Sequence, residues 1–216
     1  MSQEFNLPDV PYYNQLQNKY APYISCFPTS LSMCIAYILK LIGKDKTAVG
    51  CSTTMTLEEY IEQCLNDPET KAFIRSKVSV LGAWILQYAP RTIFVVEEFV
   101  ANRLLSVIGY KAIFKSDLDY NGICDWIERT KLPVAISGNF SSVTGGKVSG
   151  HLNAITGFNK IVSKEFILND PYAYALNGYR DASPTSTAGK QVRYNYGFYV
   201  IDKLGHMNAI VFEKII

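Results

Sequence analysis

Downstream of Cys26, apolar residues fall at Leu31, Ile35, Ile38, Leu39 and Ile42, while Met33, Cys34, Tyr37 and Leu41 make the remaining faces apolar too. That spacing predicts a helix buried on most sides, with Pro28 in its first turn, where a missing N–H costs nothing, and Gly43 as its stop. A second helix is predicted from the capping-box pattern Thr56-x-x-Glu59, which opens a one-sided stripe of Leu57, Tyr60, Ile61, Cys64 and Leu65. Another follows Asp67-Pro68, and a further one covers about 96 to 108, carrying Phe99, Arg103, Leu104 and Val107 before Gly109. From Tyr110 the texture changes. "YKAIF" is strand-like, "NGICDWIERT" reads as a short helix, and "LPVAISG", "HLNAITGF", "EFILND" and "VRYNYGFYVI" are rich in β-branched and aromatic residues between Gly, Asn and Pro breaks. The pattern predicts one domain over residues 1–216, helical over about 20–109 and mainly sheet over about 110–216. A polar stretch between Pro171 and Gly189, with three tyrosines, is expected to be a long surface loop.

Bulk composition narrows the function more than the fold. With 216 residues, 48% of them hydrophobic, the chain can bury a substantial core without a disulfide or a structural metal. Its 21 basic and 19 acidic residues leave a net charge of +2 with no long run of one sign, so nothing points to nucleic acid or an anionic membrane as a partner. The start "MSQEFNLPDVPYY" lacks the basic and apolar regions of a secretion signal, and no apolar run is long enough to span a bilayer. Synthesis in the cytoplasm without membrane insertion is expected. Five cysteines, an odd number without CxxC or Cys/His metal spacing, fit reduced thiols better than a disulfide framework or a metal site.

One thiol has a setting that suits chemistry. Cys26 in "YISCFPTS" stands at the start of the first helix, where the positive end of the helix dipole favours thiolate. A nucleophilic cysteine also wants an imidazole beside it, and the chain has two histidines, His151 and His206. His151 opens "HLNAITGF" after the glycine-rich "SSVTGGKVSG", whereas His206, in "DKLGHMNAIVF", follows a turn and reads as a surface residue. In "LNDP", either Asp170 or Asn169 could accept the imidazole N–H and fix its tautomer. Upstream, Gln15 in "VPYYNQLQ" could donate to a developing oxyanion. Cys34, Cys51, Cys64 and Cys124 have no comparable setting and read as structural.

The early glutamine of "VPYYNQ", the Ser-Cys pair before Pro-Thr-Ser, the "PVAISG" ahead of "GHLNAITGF" and the "LNDPY" resemble the papain-fold cysteine peptidases related to the bacteriocin leader-processing (double-glycine) peptidases. The resemblance covers about residues 9–42 and 120–172. It implies an α+β papain-like fold, a central N-terminal helix packed against helices and an antiparallel sheet, and no cofactor or metal. It assigns Cys26 as nucleophile, His151 as general base and acid, Asp170 as its orienting partner and Gln15 as the oxyanion donor. Two features depart from the family's pattern: Phe27 stands where glycine is usual, and the long separation of Cys26 from His151 places an insertion within about 45–95. For a free-standing chain of this kind the resemblance implies a peptide or peptidoglycan substrate, as for the endolysins with which bacteriophages open cell walls. A catalytically silent papain-like binding module, for which Phe27 is the support, is the alternative, along with a protease of protein or leader-peptide substrates.

Overall fold

The computed structural model describes residues 3–77, 94–148, 150–161 and 163–215. A short strand β1 (Glu4–Asn6) leads into four helices: α1 (Cys26–Leu41), α2 (Leu57–Asn66), α3 (Pro68–Lys77) and α4 (Phe94–Leu105). Then come β2 (Tyr110–Leu118), α5 (Tyr120–Thr130), β3 (Val134–Gly138), the single-turn helix α6 (Ser141–Thr144), β4 (His151–Asn159), β5 (Glu165–Asn169), β6 (Val192–Asn195) and β7 (Met207–Lys214). The class is α+β, as the sequence pattern predicts.

The strands form one antiparallel sheet of order β2-β7-β3-β4-β5-β6, with β1 pairing the far end of β4. Alternation along each strand divides the core into two layers. On one face Leu152 and Ala154 of β4, Ala135 of β3 and Ile210 and Phe212 of β7 pack with Leu31, Ile35 and Ile38 of α1 and with α2 to α4. On the other, Val134, Ile136, Ile155 and Val211 meet Tyr120, Ile123 and Ile127 of α5. Helix α1 is therefore covered on most sides, and its buried Ser30 ties it to the sheet by donating to the Leu152 carbonyl at 2.8 Å.

The capping box of α2 is present: Thr56 Oγ1 accepts from Glu59 N–H at 3.2 Å, and the Glu59 carboxylate accepts from Thr56 N–H at 3.0 Å. Arg103 on α4 clamps the start of α3 through Asp67 at 2.7 Å and Glu69 at 2.9 Å, and Phe73 stacks on Phe99 at 4.1 Å between ring centres. Thus α2 and α3 fall within the segment expected to be an insertion, of which residues 78–93 lie outside the described residues. Among the described residues no helix is long and apolar enough to cross a membrane.

Two differences from the sequence reading have physical causes. The strand expected over "VRYNYGFYVI" stops at Asn195, whose side chain accepts from Gly197 N–H at 2.9 Å and turns Tyr196–Tyr199 into a 3₁₀ segment. Strand β7, eight residues long and paired with both β2 and β3, escaped the sequence reading because its place in the sheet depends on those distant partners.

Gly157 on β4 shows why the small N-terminal strand can dock, since a Cβ there would stand 2.2 Å from the Phe5 carbonyl oxygen. Gly157→Ala is expected to cost about 1–3 kcal/mol and lower the melting temperature. An unchanged thermal unfolding curve would contradict this close approach.

Candidate active site

Cys26 is the first residue of α1 and is half-buried, while Phe27 beside it is fully buried among the core residues beneath the helix. The Phe27 ring therefore points inward, in helical backbone geometry open to any L residue. Ser25, at the N-cap position, does not cap the helix with its side chain. Its hydroxyl instead donates to the Gln15 carbonyl at 3.4 Å.

His151 opens β4, and Asp170 directly follows β5. These strands are antiparallel neighbours in which Ala154 pairs with Asn169, so the ends bearing the two residues lie side by side. His151 Nε2 meets Asp170 Oδ1 at 2.7 Å, with both side chains buried. The other ring nitrogen, Nδ1, is left for the Cys26 thiol, which feels the charge of the ring. Asn169 faces a different way: its amide donates to the Pro11 carbonyl at 3.0 Å and accepts from Gln191 N–H at 3.0 Å. Of the two residues of "LNDP" left open by the sequence, Asp170 is the one in contact with the imidazole.

Burial alone would raise the Cys26 thiol, but a hydrogen bond and positive charge from His151, with the N–H groups of Leu152 and Phe27, outweigh it and hold the thiol below its ordinary value. Burial would likewise lower His151, yet the Asp170 carboxylate and the Cys26 sulfur hold it raised. The two groups thus favour each other's charged forms. The other four cysteines are buried and their thiols are pushed up by burial. His206 sits in the turn before β7, paired with Asp202 at 2.7 Å.

The Gln15 N–H donates to the Pro171 carbonyl at 2.8 Å, so the segment ahead of α1 is fastened to the residue following Asp170. Its side-chain Nε2 donates to the Pro22 carbonyl at 2.9 Å, and its Oε1 is buried without a hydrogen-bond partner. Gln15 is thereby stitched to both halves of the site.

The stretch between Pro171 and Gly189 is less loose than expected. Asn14 donates to the Ser183 and Ser186 carbonyls at 2.8 and 2.9 Å, and Gln17 to that of Pro184 at 2.7 Å. Tyr179 is buried against the His151 ring, 5.8 Å between centres, with the half-buried Tyr172 ring 6.5 Å from it. Gly189 packs so closely on Asp170 that a Cβ would stand 2.1 Å from the Asp170 carbonyl oxygen. None of this was read from the sequence. The inward parity of Tyr194 on β6 was the available signal, since a buried tyrosine must spend its hydroxyl on some partner.

A thiol at the start of a central helix, facing an imidazole at the end of an antiparallel sheet, is the layout of the papain-like cysteine peptidases. The profile of the Peptidase_C39 like family matches residues 7–199, most of the chain, and the protein belongs to that family of cysteine peptidases. No curated protein sequence matches the chain. Among the described residues, no cluster of His, Cys, Asp and Glu is arranged to hold a metal ion.

Glu97 on α4 also went unread. It is buried in the layer that Cys26 borders, its Oε2 has no hydrogen-bond partner, and burial together with the negative charge of the Cys26 thiolate raises its carboxyl well above the ordinary range. Because the folded state holds this proton more tightly than the unfolded one, the carboxyl costs nothing below the ordinary value of 4.5. Its cost grows as pH rises above that value, by about 1.4 kcal/mol per pH unit until the folded-state group ionises. Glu97→Gln is therefore expected to gain stability over the parent protein between pH 5 and pH 8 in denaturant titrations. A gap that does not widen with pH would refute this assignment.

Proposed function

We propose that the protein is a cysteine peptidase that hydrolyses amide bonds through Cys26, His151 and Asp170, with Gln15 assisting. What carries this reading is the buried His151–Asp170 pair set against the one thiol of five that is lowered and not raised. The Cys26 thiolate attacks the carbonyl carbon, and the oxyanion that forms is stabilised by the second N–H of Gln15 Nε2 and by a backbone N–H at the helix start. His151 gives its Nδ1 proton to the leaving amine as the C–N bond breaks, leaving a thioester. A water molecule, deprotonated by His151, then attacks the thioester and returns the thiol. Asp170 holds the imidazole ring in one orientation and balances its charge throughout.

For the substrate we favour bacterial cell-wall peptide. The exposed Tyr20 and Tyr23, in the segment that leads into Cys26, support it by offering aromatic faces for a glycan-linked peptide. Incubation with purified peptidoglycan, and separately with a denatured protein mixture, distinguishes the substrates by mass spectrometry. New amino groups are expected in the peptidoglycan products; cleavage confined to the protein mixture would assign the enzyme to protein or leader-peptide substrates.

Cys26→Ala and His151→Ala are each expected to lower turnover at least about 10³-fold. Undiminished hydrolysis by either variant would sink the mechanism. The pH profile of kcat/KM should be bell-shaped, rising below the free-thiol value of 9.0 as the thiolate forms and falling above the ordinary histidine value of 6.5 as His151 loses its proton. A single rise near the free-thiol value would contradict the thiolate–imidazolium pairing.

A further inference from the structure

Asp170 is fully buried, and its two oxygens are used differently. Oδ1 faces His151 Nε2 at 2.7 Å and accepts from Tyr172 N–H at 3.0 Å. Oδ2 accepts from two phenol hydroxyls, Tyr194 at 2.8 Å and Tyr179 at 3.2 Å. The Tyr194 oxygen itself accepts from the Ala175 N–H at 2.7 Å, which polarises its O–H and makes it a stronger donor. The tyrosines come from unrelated places, Tyr194 from β6 and Tyr179 from the segment after the 3₁₀ turn Ala175–Asn177. Burial and the Asp170 charge raise both phenols, so they remain donors at any pH the enzyme meets.

We propose that Tyr194 and Tyr179 are positioning residues for the His151–Asp170 pair: by donating to Oδ2 they fix the carboxylate plane and hold Oδ1 towards His151 Nε2. This rests on the peptidase reading above. A carboxylate anchored only at Oδ1 is free to rotate about its terminal bond, and that rotation removes the group that orients the ring during attack. The hydroxyls act only through Asp170 and leave substrate binding alone.

The test is a double-mutant cycle on the full chain, with kcat and KM measured for Tyr194→Phe, Tyr179→Phe, Asp170→Ala and each tyrosine change combined with Asp170→Ala. Each tyrosine change alone is expected to lower kcat about tenfold, the scale of one lost charge-assisted hydrogen bond, with KM within about twofold of the parent. In the Asp170→Ala background the same changes are expected to lower kcat no further. Equal losses in both backgrounds, or single variants within about twofold of the parent kcat, would overturn the proposal. Full kcat in Asp170→Ala would instead overturn the underlying role of Asp170. Tyr179→Phe matters most if Tyr194→Phe unfolds, because the Tyr194 hydroxyl also satisfies the Ala175 N–H.

Discussion

The arrangement turns on one buried charge. The Asp170 carboxylate has no access to water, and a carboxylate in that position is tolerated only when its oxygens are met by donors. Those donors are gathered from three separate parts of the chain: the start of β4, the loop after Pro171, and β6. Each supplier is held in turn. Asp170 N–H bonds the Gly189 carbonyl at 2.8 Å, and the loop between them is sewn to Asn14 and Gln17. Satisfying the carboxylate thus requires the strand order and the folded-back loop together.

The carboxylate then controls the sulfur through the ring between them. Left to burial, the Cys26 thiol would rise and the imidazole would fall, and both would be neutral. The anion behind His151 reverses the second tendency, and the charged ring with the start of α1 reverses the first. Cys34, on the same helix, shows the contrast: with no cation or helix end beside it, burial alone sets its thiol and drives it up.

Elements whose signal is local were legible in the sequence. The apolar spacing of α1, the capping box of α2 and the β-branched and aromatic runs of β4 and β5 need no distant partner to be recognised, and the contexts of Cys26, His151 and Asp170 lie in or beside such elements. What could not be read depends on long-range pairing. Strand β7 is central only because of what flanks it, and the roles of Tyr179, Tyr194 and Gly189 follow from a loop folding back on the strand end. Glu97 looked like one more acidic helix residue until packing placed it in the core. Phe27 was misleading in the other direction: beside the thiol in sequence, it sends its ring away into the core.

The central claim is that this geometry makes Cys26 a reactive thiolate, and the order in which the five cysteines are alkylated tests it most directly. In a brief, limiting treatment with iodoacetamide at pH 6 to 7, followed by intact-mass and peptide analysis, Cys26 is expected to be modified first and nearly alone. Comparable labelling of several cysteines, or labelling of another cysteine ahead of Cys26, would contradict the account.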